Sequence, residues 1–271
     1  MKKSFKLMAV CLAAATMLSM SACGGKNSDE SGVSEGSSSL DNIKRNGYIT
    51  MSTNAEFEPF EYNEGSEIVG IDVEISKKIA EKLGVKLRMN DVAFGALIQE
   101  ITSGKADFVA AGMTADDDRR KNVDFSDNYF DARQAVIVRL DSDIKEPKDL
   151  DGKKVGVQEG TTGDIYCTNE DGSSEIKVAS VERYNKGMDA VSDLISGRID
   201  AVVIDDFPAD KFVDKNSSKI KKLESMLTEE KYAIAVKKGN TELMELINEV
   251  LKEMNESGEM DQILNQYLVK E

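Results

Sequence analysis

Two seven-residue stretches of this chain match at a distance of about ninety residues: Ser103-Gly104-Lys105-Ala106-Asp107-Phe108-Val109 and Ser196-Gly197-Arg198-Ile199-Asp200-Ala201-Val202. Each ends a helical pattern on Ser-Gly and then enters an apolar strand pattern, so one helix–turn–strand unit occurs twice. The flanking sequence extends the match. Ahead of the first copy, residues 48–52 read as a strand and Ile75, Ile79 and Leu83 line one face of a helix that Gly84 ends. Val85, Leu87 and Met89 then alternate as a strand, Leu97, Ile98 and Ile101 form a second helical face, and residues 107–111 close the run as a strand. Around the second copy, residues 154–157 are a strand, Gly160-Thr161-Thr162-Gly163-Asp164 turns into a helix, and residues 176–181 are a strand. Met188, Val191 and Ile195 mark another helix before a strand at 201–204.

Strands alternating with helices predict an α/β protein of two lobes, each a mainly parallel sheet flanked by helices. Extended apolar segments at 134–139 and 231–236 predict a two-stranded hinge, over which the chain crosses to the second lobe and returns. Leu243, Ile247, Val250, Leu251 and Met254, then Met260, Ile263, Leu264 and Tyr267, mark two amphipathic helices that pack back on the first lobe. The lobes are thus residues 41–134 with 230–271, and residues 135–229. Pro59, Pro147 and Pro208 interrupt none of these helices.

The N-terminus carries an address. Lys2, Lys3 and Lys6 precede an apolar run at 7–20 and the small residues Ser21-Ala22-Cys23-Gly24-Gly25. That order is a secretory signal, and the run is short for a membrane span. Met20-Ser21-Ala22-Cys23 resembles the lipobox of bacterial lipoproteins, with Met20 where leucine is more usual. The resemblance implies a signal peptide over residues 1–22 and acylation of Cys23, by palmitate among others. Residues 23–40, mostly Ser, Gly, Glu and Asp, read as a flexible tether to a membrane surface.

Taking away Lys2, Lys3 and Lys6 with no acid moves the formal net charge from −15 to −18. A surface so acidic argues against nucleic acid as a partner. The cysteines are Cys11, Cys23 and Cys167, and there is no histidine, which leaves no expected metal site and removes the usual general base. No cofactor is expected, and hydrolytic catalysis is a poor first choice.

In parallel α/β sheets ligands bind beyond the carboxyl ends of the strands. Those ends carry Asn54 and Phe57, Phe94, the stretch from Gly112 and Thr114 to Arg119, Gln158 with Thr161 and Thr162, and Asp205. Thr114-x-x-Asp117 reads as a capping box opening a short helix, which brings backbone donors, a hydroxyl and a guanidinium together where anions bind. An α-amino acid offers a carboxylate for Arg119, an ammonium for Asp205 and a side chain for the phenyl faces. Phe57 and Phe94 equally suit a core, Gln158 a solvent-facing position and Thr161 a plain helix cap. Arg120 and Asp206 read as solvated neighbours, and Cys167 as a small packing residue.

The order and spacing of several motifs resemble the family 3 solute-binding proteins of bacterial ABC importers, the polar amino-acid group. They are Phe57-Glu58-Pro59-Phe60-Glu61-Tyr62, Gly70-Ile71-Asp72-Val73-Glu74, Ala111-Gly112-Met113-Thr114 with Arg119, Val123-Asp124-Phe125-Ser126, Val155-Gly156-Val157 to Thr162, and Asp200-Ala201-Val202-Val203 to Asp205. The resemblance runs from about Leu40 onward and implies a type II periplasmic-binding-protein fold. It implies that Arg119 pairs with the ligand carboxylate, with Gly112, Thr114 and Thr162 adding hydrogen bonds near it, and that Asp205 takes the ammonium. Phe57 and Phe94 would be aromatic walls, with Gln158 facing them. Asn54 falls where relatives preferring cationic side chains often carry Asp, and Asn keeps the hydrogen bond without the charge. A monomer is implied, extracytoplasmic and anchored by lipid, that hands a polar amino acid to the importer's permease subunits. Two other readings share the fold. A dehydratase-like enzyme would need a pocket acid, with Glu56 and Glu159 the candidates, and an amino-acid sensor module would continue into a membrane span and signalling domain.

Overall fold

The computed structural model describes residues 39–170, 172 and 174–268. The expected signal peptide at 1–22, Cys23 and the tether, except for its last two residues, lie outside the described residues. In chain order the elements are α1 (Ser39–Asn46), β1 (Tyr48–Thr53), β2 (Glu56–Phe57), β3 (Glu61–Glu64), β4 (Glu67–Val69), α2 (Ile71–Leu83) and β5 (Lys86–Asp91). Then come α3 (Leu97–Thr102), β6 (Phe108–Val109), β7 (Val123–Ala132), β8 (Gln134–Arg139), β9 (Lys154–Gln158), α4 (Thr162–Thr168) and β10 (Ser180–Tyr184). The chain continues through α5 (Gly187–Ile195), β11 (Ala201–Asp205), α6 (Asp206–Lys215), β12 (Ile220–Lys222), β13 (Glu230–Lys237), α7 (Thr241–Ser257) and α8 (Glu259–Leu268).

Two five-stranded sheets carry the two lobes, in the orders β5-β1-β6-β13-β7 and β10-β9-β11-β8-β12. The layout is the same in both. The first three strands of each run parallel, and the last two join antiparallel. The sheets are therefore mixed, where the sequence predicts mainly parallel ones. The odd strands lie at the hinge. Arg133 alone separates β7 from β8, so the chain runs straight from one sheet into the other, and β8 and β13, the strands that enter a sheet from a crossing, each run against both neighbours.

The predicted hinge segments are accordingly sheet strands: β8 belongs to the second sheet and β13 to the first. The crossings beside them are tied together, Gln134 N donating to Thr228 Oγ1 at 3.1 Å and Leu227 N to the Gln134 carbonyl at 2.8 Å. The α2 helix ends on Gly84 in the left-handed conformation, as its sequence predicts. Helices α7 and α8 bury their apolar stripes, including Leu243, Ile247, Val250, Met254, Met260 and Ile263, against α2 and the first sheet.

Three local expectations are corrected. The strand expected at 176–181 forms at Ser180–Tyr184, because Ile176 is buried from a loop. The strand expected at 107–111 pairs only over Phe108–Val109. No helix opens at Thr114: its backbone bridges to Tyr232, and the single helical turn nearby is a 3-10 turn at Arg119–Lys121. Ahead of that turn, Asp116 Oδ1 accepts from Arg119 N at 2.7 Å. The small antiparallel meander β2-β3-β4 follows from no periodicity in the sequence, its strands being two to four residues long.

Candidate ligand site between the lobes

The carboxyl ends of β1, β6, β9 and β11 converge where the lobes meet. Phe57, Phe94, Gly112, Thr114, Arg119, Gln158, Thr161, Thr162 and Asp205 line one narrow space there. These are nine of the ten residues singled out from the sequence. Asn54, the tenth, is buried but stands behind the wall. Its Nδ2 donates to the Val92 carbonyl at 2.9 Å, and its Oδ1 accepts from Gln158 Nε2 at 2.8 Å. Two amides, one from each lobe, are thus joined by a buried hydrogen bond.

Arg119 is 9% exposed. Its Nη1 donates to the Thr114 carbonyl at 2.7 Å, and its Nη2 reaches across to the Gly160 carbonyl at 2.9 Å. Nε stands 3.2 Å from Asp116 Oδ2, and the Phe94 ring lies 5.3 Å from the guanidinium carbon. A guanidinium has five N–H donors. One remains on each Nη, a fork of the kind that takes a carboxylate. Burial pulls the Arg119 pKa down, while the charges of Asp116, Glu230 and Asp205 push it back up. Arg120 points elsewhere, over the Phe125 ring, and is exposed.

Asp205 sits at the end of β11 and accepts from the Tyr232 hydroxyl. Burial pushes its pKa up to about 7, the nearby Glu230 charge adds to this, and the bonds from Tyr232 and Gln134 oppose it. Thr161 caps α4, its Oγ1 accepting from Asp164 N at 3.3 Å and donating to the Gln158 carbonyl at 2.8 Å. Both of its sequence readings therefore apply, since it caps a helix and lines the space. Asp206 is 6% exposed and tied to Arg133 at 2.7 Å and to Lys222, so it is a buried hinge ion pair rather than a solvated neighbour. Cys167 is buried in α4, and its thiol is pushed up to about 12 by burial and by Asp164. That makes it inert.

Sequence reasoning missed the carboxylates behind the wall. Asp72 is fully buried and accepts from Gly112 N at 2.8 Å and from the Tyr129 hydroxyl at 2.8 Å. It fixes the Gly112 loop and occupies that amide, so Gly112 has no N–H left to offer a ligand. Gly112 holds φ at +51°, and a Cβ there would stand 2.6 Å from Phe57 Cε1. Only glycine lets the loop pass the ring. Glu61 is also fully buried, with no hydrogen-bond donor facing either oxygen. Burial first, and the Asp72 charge next, push its pKa well above the usual carboxylate range. Glu230, the first residue of β13, is described below. The only sequence signal for Asp72 and Glu61 was their place in the family-like motifs.

The sequence pattern of the bacterial extracellular solute-binding proteins, family 3, matches residues 49–270. The chain belongs to that family. The arginine-binding extracellular protein ArtP of Bacillus subtilis (strain 168) is 34% identical to this solute-binding protein over 269 residues, 98% of this chain and 99% of the relative. The structure of holo ArgBP from T. maritima superposes with a TM-score of 0.74 at 44% identity, covering 84% of this chain and 99% of that one. An ancestral arginine-binding protein bound to glutamine gives a TM-score of 0.76 at 39% identity, covering 83% and 99%. The fold is the two-lobed periplasmic-binding-protein fold of these neighbours. Among the described residues no helix is long and apolar enough to cross a membrane.

Proposed function

We propose that this solute-binding protein captures one free amino acid with a polar side chain between its lobes and delivers it to the permease of an ABC importer. One observation carries the reading: a buried guanidinium with two unused N–H groups and a buried carboxylate line the same small interlobe space. Arg119 takes the α-carboxylate, Asp205 the α-ammonium, and the side chain lies against Phe57, Phe94 and Gln158. The relatives named for arginine and the ancestral protein bound to glutamine support this class of ligand. Among the described residues Asp205 is the only carboxylate lining the space, which favours a neutral polar side chain such as that of glutamine. Stacking on the phenyl faces keeps arginine in the set.

The elimination chemistry of a dehydratase-like enzyme finds less support. Glu56 and Glu159 are outside the lining, and Glu56 is tied to Lys186. A thermal-shift screen of the common amino acids tests the reading, because a ligand bound only by the folded state raises the melting temperature. Arginine or glutamine is expected to raise it by several degrees. A flat response across the whole set contradicts the reading.

The same proposal places the protein outside the cytoplasm as a monomer, held to the membrane by acyl chains on Cys23. Labelled palmitate is expected on the wild-type chain and absent from Cys23→Ser, which is released from the membrane fraction. A Cys23→Ser chain that stays with the membrane contradicts the anchor.

A further inference from the structure

Glu230 stands where the chain returns to the first lobe. Its Oε2 accepts from Thr114 Oγ1 at 2.7 Å and from Thr162 Oγ1 at 2.7 Å, and its Oε1 accepts from Thr228 Oγ1 at 2.7 Å. Thr114 follows β6 of the first sheet and Thr162 begins α4 of the second lobe, so one carboxylate oxygen ties both lobes beside the hinge. Glu230 itself is outside the lining of the ligand space, whereas both threonines are part of it.

The consequence is one of proton direction. A hydroxyl carries one proton and two lone pairs. With its proton on Glu230, Thr114 has only lone pairs to offer the space. Thr162 also gives its proton to Glu230, and it accepts from Gln134 Nε2 at 3.0 Å, which leaves one lone pair. In the space that Arg119 and Asp205 also line, the two hydroxyls are therefore acceptors. An ammonium satisfies acceptors, and a carboxylate does not.

We infer that Glu230 is a positioning residue for the ligand's ammonium: it orients Thr114 and Thr162 as a pair of acceptors beside Asp205 and clasps the two lobes through them. This rests on the amino-acid reading of the site. It moves Thr114 and Thr162 from the carboxylate end, where the family resemblance puts them, to the ammonium end. Glu230→Leu breaks the arrangement. Its side chain offers no acceptor, so both threonines lose the bond that turns their protons away from the space.

The test is calorimetry on the intact chain with the amino acid that the screen identifies and with its deaminated analogue, in which hydrogen replaces the α-ammonium. In wild type, deamination is expected to weaken binding by about a hundredfold or more. Glu230→Leu is expected to weaken the amino acid by about tenfold while losing clearly less than wild type on deamination. Glu230→Asp, which keeps the charge, is expected to restore part of that sensitivity. If Glu230→Leu binds as wild type does, or weakens both ligands by the same factor, the inference is overturned, since a merely structural role gives the latter. Should Glu230→Leu fail to fold, Thr114→Val and Thr162→Val remove the acceptors directly, and an undiminished penalty for deamination in both overturns it. Wild type that binds no amino acid removes the amino-acid reading first, a result distinct from any of these.

Discussion

A buried guanidinium keeps its charge, and protein that surrounds one without enough acceptors is destabilised. Arg119 meets this by bonding two backbone carbonyls and lying beside Asp116, which leaves two donors for a solute. Asp205 is its counterpart, a carboxylate pushed up to about 7 by burial and by Glu230. A group that must be ionised to hold an ammonium makes binding depend on pH. Below about pH 7 Asp205 takes up a proton, so affinity is expected to fall by up to about tenfold per pH unit as pH is lowered. Stability runs the other way. A carboxylate whose pKa is raised on folding contributes stability that is fully present below its unfolded value and is lost as pH rises through the folded one. For Asp205 that window runs from the ordinary carboxylate value of 3.8 up to about 7, and Asp72, raised to about 6, contributes in the same direction. Calorimetry from pH 5 to pH 8 checks this. An affinity flat across that range, or an equally steep profile in Asp205→Asn, contradicts the role of Asp205.

At the scale of elements, the sequence showed most where side chains repeat with the period of the backbone. Ile75, Ile79 and Leu83 mark α2 because one face of that helix packs inward, and Gly84 ends it because the left-handed residue there has no Cβ to strain. The Ser-Gly repeat located α3–β6 and α5–β11 for the same reason. Where contacts are non-local the sequence is silent. Thr114 looked like a helix cap, but its hydroxyl is taken by Glu230, 116 residues away in the chain. Ile176 looked like strand because it is apolar, yet it fills a core position from a loop. The lining of the interlobe space was legible at Arg119, Asp205, Phe57 and Phe94, since strand ends in this architecture face the cleft. Asp72, Glu61 and Glu230 were not legible, because their roles depend on which atom faces which across the fold. Asn54 shows the limit from the other side: the right strand end was identified, but its amide turns to Gln158 rather than to the cavity.

As a whole, the molecule is two similar sheets joined at one short double crossing, with the site on the seam. Several contacts span that seam: Asn54 with Gln158, Arg119 with Gly160, Thr162 with Glu230, Tyr232 with Asp205, and Glu58 with Lys215 at 2.7 Å. The Lys215 pair is well exposed on its lysine side and contributes at most about 1 kcal/mol. The buried polar contacts hold the lobes together around the site, and a solute there adds its own. Micromolar affinity needs about 8 kcal/mol net. Two bonds from Arg119 and one set at Asp205, each roughly 1.5–3 kcal/mol, supply this with aromatic burial after ordering terms are subtracted. Removing the guanidinium takes away the largest share. Titration calorimetry on Arg119→Ala, with the amino acid that wild type binds, is therefore the most direct measurement. With Arg119 holding the carboxylate, no detectable binding is expected from a chain that still melts cooperatively, and an affinity equal to that of wild type contradicts that role.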